Sequence, residues 1–241
     1  MKDIVLIHGT WCDGNVWGEF KNKLEELGLR VHTPSLRYHD LPYEEVEQKV
    51  GRVSLGEYTD DIVKLVESLE EPPLVLGHSL GGLIAQLVAE KTKVSGLILM
   101  GTAPAAGIFA FYPSMVICFY KHFLRWGFWK KPMPPYKHAF CDYCMNNQDE
   151  TDKEREFSKL VPESGFTYFQ MALPFLDKQK GAYINFDRVN EPVLVITGSE
   201  DKMVHPNIAK ATSKRYKNAT LNVIEGSDHM YEAPKFRDKT V

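Results

Sequence analysis

Short apolar runs alternate with amphipathic segments along the first hundred residues. Residues 4–7 are a continuous apolar run, and residues 16–27 place Trp17, Phe20 and Leu24 on one helical face. The alternation continues with a strand near 30–33, a helix over 56–69, a strand over 74–76, a helix over 79–91 and a strand over 96–100. Apolar strands that alternate with helices are typical of a parallel sheet covered by helices on both faces.

The pattern changes between Thr102 and Asp187. This segment contains 19 of the chain's phenylalanine, tyrosine and tryptophan residues, most of the total, and no strand signal. The pattern predicts helices around 114–125, 151–160 and 166–176, and then strands at 193–196 and 220–224 with a helix over 206–216 and a short terminal helix. We therefore expect an α/β fold with about six mostly parallel strands and helices on both faces (residues 1–101 and 188–241), interrupted by a helical, aromatic-rich cap (102–187).

Composition excludes several classes of protein. The formal net charge is −3 and charged residues make up 25%, which does not favour a nucleic-acid partner. The longest apolar stretch, 108–120, contains Pro113 and Ser114 and is too short for a membrane span. The chain enters its first strand directly after Asp3, which leaves no room for a signal peptide, so we expect a cytoplasmic protein. No cofactor or metal is expected, and a monomer and a homodimer both remain open.

Four cysteines do not make a disulfide framework in a chain of this size. Cys141 and Cys144 have C-x-x-C spacing, but no second pair completes a zinc tetrad and the flanks do not resemble a thioredoxin helix. We interpret the spacing as coincidence, with a metal or redox role as the alternative. Cys12 is a conceivable nucleophile, although no histidine context supports it.

A nucleophile motif lies between the strand at 74–76 and the helix that follows. Gly77-His78-Ser79-Leu80-Gly81 is a G-x-S-x-G sequence in the strand–turn–helix setting that it requires. Glycine lacks a Cβ, so it permits a tight turn that lifts the Ser79 hydroxyl clear of the sheet edge. The simpler alternative is a glycine-rich turn with a surface serine.

A serine nucleophile needs a base, and the base needs an orienting acid. His229 follows the last predicted strand and Asp201 follows the strand before it, so both should lie at the carboxyl edge of the sheet with Ser79. The order Ser, Asp, His is that of α/β-hydrolase triads. Neighbouring carboxylates and other histidines compete for these roles: Glu200 and Asp228 for the acid, His8, His78 and His205 for the base.

An oxyanion needs hydrogen-bond donors beside the serine. The backbone N–H groups of Leu80 and Thr10 are the expected pair, because Thr10 follows the first strand in a sharp turn next to the elbow. Trp11 is the alternative second donor, or else a wall of the substrate site. We also place His78 and Val204 at the substrate site, and expect His8 to make a structural hydrogen bond beneath the oxyanion loop.

These residues resemble the α/β-hydrolase superfamily over nearly the whole chain. The His8-Gly9 loop, the 77–81 elbow, Asp201 and His229 match its motif positions in order. The start at the His-Gly strand and the stretch from His8 to Trp17 are similar to the plant methylesterase and hydroxynitrile-lyase group. The resemblance implies hydrolysis of a small-molecule ester through an acyl-enzyme on Ser79.

Two positions distinguish the esterases from the lyases of that group. The lyases replace the glycine of the first His-Gly and place a lysine directly after the catalytic histidine. Here the residues are Gly9 and Met230, as in the esterases. The cap does not resemble the plant enzymes closely, so their substrates are not transferred to this chain.

The aromatic cap gives an indication of the substrate. Aromatic side chains bury much apolar area and line apolar pockets. We therefore expect an ester with a hydrophobic or medium-chain acyl or alcohol group, such as a monoacylglycerol or lysophospholipid, unless the cap aromatics only form the cap's own core. Thioester hydrolysis, C–C bond hydrolysis, acyl transfer and a slow-turnover ligand receptor remain open, because no residue separates them.

Overall fold

The computed structural model describes residues 1–240. The strands are β1 (Lys2–Ile7), β2 (Leu29–His32), β3 (Leu74–His78), β4 (Gly96–Met100), β5 (Pro132–Met133), β6 (Glu163–Ser164), β7 (Val193–Gly198) and β8 (Ala219–Ile224). The helices are α1 (Gly18–Glu26), α2 (Tyr43–Lys49), α3 (Leu55–Glu67), α4 (Leu80–Lys91), α5 (Pro113–Phe123), α6 (Lys137–Ala139), α7 (Glu150–Phe157), α8 (Gly165–Ala172), α9 (Pro206–Ser213) and α10 (Pro234–Thr240).

Six strands form one parallel sheet in the order β2-β1-β3-β4-β7-β8, which confirms the predicted α/β fold. The chain runs from β1 outward to β2 and then returns to the other side of β1 as β3. The order of strands therefore reverses between β1 and β3, where Ile7 lies opposite Gly77. Open α/β sheets bind ligands at such a switch point, outside the carboxyl ends of the strands.

The central strand β1 is apolar on both sides because helices cover both faces of the sheet. Ile4 and Leu6 pack with Trp17 and Phe20 beside α1, whereas Val5 and Ile7 belong to the cluster on the opposite face with α3 and α4. This division follows the two-residue period of a strand. Burial on both faces fixes the register, and with it the position where β1 ends.

Residues 102–187 contribute no strand to the main sheet. They form α5–α8 and a small antiparallel pair of strands, β5 and β6, and their buried side chains join the same apolar cluster as the sheet. Their separation as a cap remains our interpretation. Within residues 1–240, no helix is both long and apolar enough to cross a membrane.

Some predicted boundaries differ from the structure for local reasons. The helix expected over 166–176 ends at Ala172, because the next residue, Leu173, precedes Pro174 and a residue before proline disfavours the helical region. The helix expected from residue 16 is split into a 3-10 turn over Gly14–Trp17 and α1. Helix α2 and the paired strands β5 and β6 were not predicted.

A buried ion pair joins the paired strands β5 and β6 to the core. Glu163 accepts hydrogen bonds from His39 Nε2 at 3.2 Å and from the Tyr58 hydroxyl at 2.7 Å. Burial opposes both charges, but each partner favours the other, so the pKa of His39 is raised and that of Glu163 is lowered. The pair therefore stabilises the fold fully between pH 4.5 and pH 6.5, the ordinary pKa values of a glutamate and a histidine. Its contribution is lost as pH rises through the folded His39 pKa or falls through that of Glu163.

Candidate active site

Ser79 lies in a strained turn between β3 and α4. Its φ of 53° and ψ of −119° are in a region that non-glycine residues rarely adopt. The surrounding backbone holds it there: its N–H donates to the Met100 carbonyl at 2.9 Å, and its own carbonyl accepts from Gly82 at 2.9 Å and Ala103 at 2.8 Å. Such strain persists only where the surroundings over-determine it, and it is concentrated at functional sites.

The two motif glycines are required by the packing of this turn. A Cβ on Gly77 would lie 2.1 Å from the Gly81 carbonyl oxygen, and a Cβ on Gly81 would lie 2.1 Å from the carbonyl oxygen of Ile7. Both clashes are with backbone, which has no side-chain rotamer by which to move away. The elbow therefore fits between β1, β3 and α4 only with glycine at both positions.

Asp201 and His229 meet at the same edge of the sheet. His229 Nδ1 lies 2.7 Å from Asp201 Oδ2, and both side chains are buried. Asp201 Oδ1 accepts from the Val204 amide at 2.8 Å, which holds the carboxylate in place. Burial lowers the pKa of His229, but the Asp201 carboxylate outweighs burial and the net shift is upward. Among residues 1–240, His229 Nε2 has no hydrogen-bond partner, so this nitrogen is free to accept a proton.

Tyr231 is a third member of this group that the sequence did not indicate. Its hydroxyl donates to Asp201 Oδ2 at 2.7 Å and accepts from the Gly198 amide at 3.1 Å. Gly101, with φ 49°, is in contact with both rings: a Cβ there would lie 2.7 Å from Tyr231 Cε2 and 3.0 Å from His229 Cε1. The carbonyl of the preceding residue, Met100, accepts the Ser79 N–H. The segment Met100–Gly101 therefore contacts both the serine turn and the His229 ring.

His78 packs behind the imidazole of His229. The two ring centroids are 4.7 Å apart, and His78 Nε2 donates to the His229 carbonyl at 2.8 Å. Burial keeps the pKa of His78 well below its ordinary value and raises that of Glu232, 3.6 Å from Nδ1, to about 7. His78 is therefore neutral, and its contacts are with other residues of the protein, His229 and Glu232. They give no support to the substrate contact expected for His78.

The predicted oxyanion residues lie on either side of the switch point. Leu80 is the first residue of α4, so its N–H has no helical acceptor four residues earlier. Thr10 follows β1, and its hydroxyl lies 2.8 Å from the Tyr168 hydroxyl of α8. Trp11 has φ 67° and donates from Nε1 to the Met133 carbonyl at 2.9 Å. His8 Nε2 accepts from the Leu36 amide at 2.9 Å, the structural role expected for it.

The alternative acids do not reach the imidazole. Glu200 is exposed. Asp228 accepts from the Asn147 amide at 2.9 Å, from Gln148 Nε2 at 3.1 Å and from the Met230 amide at 3.1 Å. Among these candidates, only Asp201 is hydrogen-bonded to His229.

Residues 144–148 hold the loop that carries His229. The Cys144 carbonyl accepts the His229 N–H at 3.1 Å, and Asn147 donates from its amide to Asp228 and from Nδ2 to the Gly226 carbonyl at 2.9 Å. About 80 residues separate the partners of these bonds. No local sequence signal could have indicated them.

The cysteines are all free and buried. Cys141 and Cys144 lie in one π-helical turn, Phe140–Cys144, and burial raises the pKa of both thiols. Within the described part of the chain, no group of three or more histidine, cysteine or acidic side chains is placed to hold a metal ion. The C-x-x-C spacing is thus not part of such a group.

Comparison with known proteins identifies the family of this chain. The sequence profile of the Alpha/beta hydrolase family matches residues 4–236. The chain belongs to this family. The resemblance predicted from the elbow, the acid and the base is thereby confirmed at the level of the superfamily.

Two relatives of this α/β hydrolase are named as a hydrolase and an esterase. Pyrethroid hydrolase from Sphingobium wenxiniae is 36% identical over 111 residues, which cover 45% of this chain and only 39% of that protein. The pimeloyl-[acyl-carrier protein] methyl ester esterase of Nitrosospira multiformis is 23% identical over 249 residues, covering 95% of this chain and 88% of the relative.

Among solved structures, the fold resembles a plant methylesterase. MES16 from Arabidopsis superimposes with a TM-score of 0.73 at 14% identity, covering 100% of this chain and 96% of that one. This level of identity establishes a shared fold and does not by itself transfer a substrate.

Proposed function

We propose that this α/β hydrolase is a serine hydrolase of carboxylic esters that acts through an acyl-enzyme. The observation that carries the proposal is the buried Asp201–His229 pair with an unpartnered Nε2, at the sheet edge where the strained turn presents Ser79. The esterase activities named for the relatives support the same reaction class.

In the first half of the reaction, Ser79 Oγ attacks the ester carbonyl carbon. His229 Nε2 accepts the hydroxyl proton as the Oγ–C bond forms, and Asp201 stabilises the resulting imidazolium through Nδ1. The Leu80 and Thr10 N–H groups donate to the tetrahedral oxyanion. Loss of one such donor typically lowers the rate by a factor of ~10²–10³. As the C–O bond breaks, His229 returns the proton to the leaving alcohol.

In the second half, water replaces the alcohol. His229 removes a proton from the water that attacks the acyl carbonyl, and then protonates Ser79 Oγ as the acid leaves. Because His229 must be neutral to act as a base, kcat/KM should rise with pH through its pKa. Asp201 holds that pKa above its ordinary value despite burial, so the acid limb should lie above the pH expected for a free imidazole.

Aromatic side chains over the oxyanion loop favour an apolar group in the substrate. The ring centroids of Trp11 and Phe119 are 6.0 Å apart, and those of Phe119 and Tyr168 are 5.0 Å apart. The Tyr168 hydroxyl is hydrogen-bonded to the Thr10 hydroxyl. Phe119 and Tyr168 belong to α5 and α8, so rings of the cap segment pack against the loop that carries Thr10 and Trp11. We place Trp11 at the wall of the substrate site, and assign Val204 to positioning Asp201 through its amide.

Labelling with a fluorophosphonate probe tests the nucleophile. Wild-type protein and the control Ser158→Ala, an exposed serine on the cap segment, should label and hydrolyse p-nitrophenyl acetate. Ser79→Ala should do neither while retaining its fold by circular dichroism. Labelling of the folded Ser79→Ala variant to the wild-type extent would disprove the assignment.

Acyl-chain profiling tests the substrate class. We expect p-nitrophenyl octanoate to be hydrolysed with a higher kcat/KM than the acetate, and a preference for acetate would contradict the apolar site. Thioester and diketone substrates in the same assay distinguish the other reactions open to this triad. Stabilisation by ligands with negligible turnover of every ester would instead indicate a receptor.

A further inference from the structure

The outward side of α5 is apolar although it faces solvent. Exposed apolar residues recur there at helical spacing and continue to the residue after the helix: Val116, Ile117, Tyr120 and Leu124. The opposite side of α5 is buried through Cys118, Phe119 and His122. A helix in a water-soluble fold normally presents polar residues on the side away from the core, so this surface lacks the expected polarity.

The exposed surface extends beyond both ends of the helix. Phe111, just before α5, is 70% exposed, Leu124 is 79% exposed and Trp126 is 87% exposed. Trp126 lies 5.7 Å from the ring of Trp129, which anchors it to the cap segment. We call this surface, formed by Phe111, Val116, Ile117, Tyr120, Leu124 and Trp126, the α5 patch. Contiguous exposed apolar surfaces of this kind mark interaction sites.

The chain segment that carries the α5 patch has charges of one sign. The chain carries a formal charge of −3, yet residues 91–141 contain no aspartate or glutamate, and residues 102–141 contain five lysines and arginines. Of these, Lys137 pairs with Glu154. Within residues 1–240 the other four, which are Lys121, Arg125, Lys130 and Lys131, have no carboxylate at ion-pair distance. Lys131 Nζ donates to the Trp126 carbonyl at 2.9 Å, so unpaired positive charge lies directly beside the patch.

We propose that the α5 patch docks on a lipid surface that carries anionic headgroups. Apolar and tryptophan side chains that project from a helix enter the boundary between headgroups and acyl chains, while lysine and arginine around them contact the anionic headgroups. Trp126 has the exposure and position of an interfacial anchor. The docking is independent of the proposed ester hydrolysis.

The charges argue against a second copy of this chain as the occupant. A symmetric dimer through the α5 patch would place the same surface of each protomer against the other. The four unpaired cations of both protomers would then lie in one interface with no carboxylate from the same segment, and like charges brought together are unfavourable. An anionic lipid surface provides apolar depth and negative charge together.

Co-sedimentation with vesicles tests the proposal. Wild-type protein should bind vesicles of equal parts phosphatidylcholine and phosphatidylserine, bind pure phosphatidylcholine more weakly, and dissociate as salt is raised. Leu124→Ser with Trp126→Ser should weaken binding by on the order of tenfold or more. Lys130→Gln with Lys131→Gln should weaken it about fivefold for each charge removed.

A matched variant outside the patch is the control. Leu27→Ser, at a residue 65% exposed after α1, should bind vesicles as the wild type does, and circular dichroism should confirm that all variants fold. The Trp126 emission should move to shorter wavelength with anionic vesicles, a change that Trp126→Phe removes. The proposal is wrong if wild-type protein does not bind, if neutral and anionic vesicles bind equally, or if the patch variants bind normally. A dimer by light scattering that Leu124→Ser with Trp126→Ser converts to a monomer would show that a second copy covers the patch.

Discussion

Replacing Tyr231 by phenylalanine removes one oxygen atom from the hydrogen-bonded centre of the site. The hydroxyl donates to Asp201 Oδ2 at 2.7 Å and accepts from the Gly198 amide at 3.1 Å, and the side chain is fully buried. The phenylalanine ring fits the same space, so packing against Gly101 is retained. The variant therefore isolates the two hydrogen bonds.

The expected loss of stability follows from those two bonds. A hydrogen bond to a charged group contributes about 1.5–3 kcal/mol, and a buried N–H left without a partner costs about 1–3 kcal/mol, so Tyr231→Phe should lower the free energy of unfolding by about 2.5–6 kcal/mol. Asp201 keeps its Val204 donor and its imidazole partner, which limits the loss. Urea denaturation monitored by circular dichroism measures it.

The pH profile separates a role in the site from a purely structural one. Without the Tyr231 donor, more negative charge remains on Asp201 Oδ2 and stabilises the His229 imidazolium, so the His229 pKa should rise further. Since the neutral imidazole is the proposed base, the acid limb of kcat/KM should move to higher pH.

Tyr216→Phe is the matched control for Tyr231→Phe. Its buried hydroxyl donates to Gln86 Oε1 at 2.9 Å, a neutral partner outside the site. It should cost about 1 kcal/mol of stability and leave the pH profile unchanged. An unshifted acid limb in Tyr231→Phe, or identical behaviour of the two variants, would show that Tyr231 does not act on the imidazole through Asp201.

Three further outcomes are expected. Glu163→Gln breaks the buried pair with His39 and should lower the free energy of unfolding by about 3–5 kcal/mol near pH 5.5, where both partners are charged. The loss should be smaller at pH 8. Equal losses in urea titrations at the two pH values would contradict the presence of an ion pair. Gly9→Ala places a Cβ 3.0 Å from Ser79 Cβ and should lower kcat/KM about three- to tenfold, whereas Gly56→Ala, with nothing nearer than 3.7 Å, should leave it unchanged. The four buried cysteines should react with a thiol reagent only after unfolding, and rapid reaction of a native pair would indicate a redox role.

The elbow could be predicted from local sequence because its two glycines are required by contacts with backbone atoms. Backbone atoms are present whatever the side chains are. The Asp201–His229 pair could also be predicted, since each residue follows an apolar strand and parallel strands end at one edge. Asp201 could be preferred to Asp228 because Asp228 adjoins His229 and cannot easily reach the far nitrogen of the ring.

Contacts between distant segments could not be predicted. Tyr231 lies two residues from His229, but its partner Asp201 is 30 residues away, and a tyrosine in a loop has no pattern that specifies a hydrogen-bond acceptor. Helix α2 has seven residues and buries only Val46, which is too little for an apolar stripe. Strands β5 and β6 have two residues each, too few for an alternation.

The hydrogen bonds from residues 144–148 to the His229 loop limit how this enzyme could be engineered. Exchange of residues 102–187 for the lid of another hydrolase would remove the acceptor of the His229 N–H and the donors to Asp228 and Gly226. The proposed base would then lose its supports even though no residue of the proposed triad had been changed. A functional chimaera would have to retain residues 144–148, so residues 102–187 and the proposed catalytic residues are not independently exchangeable modules.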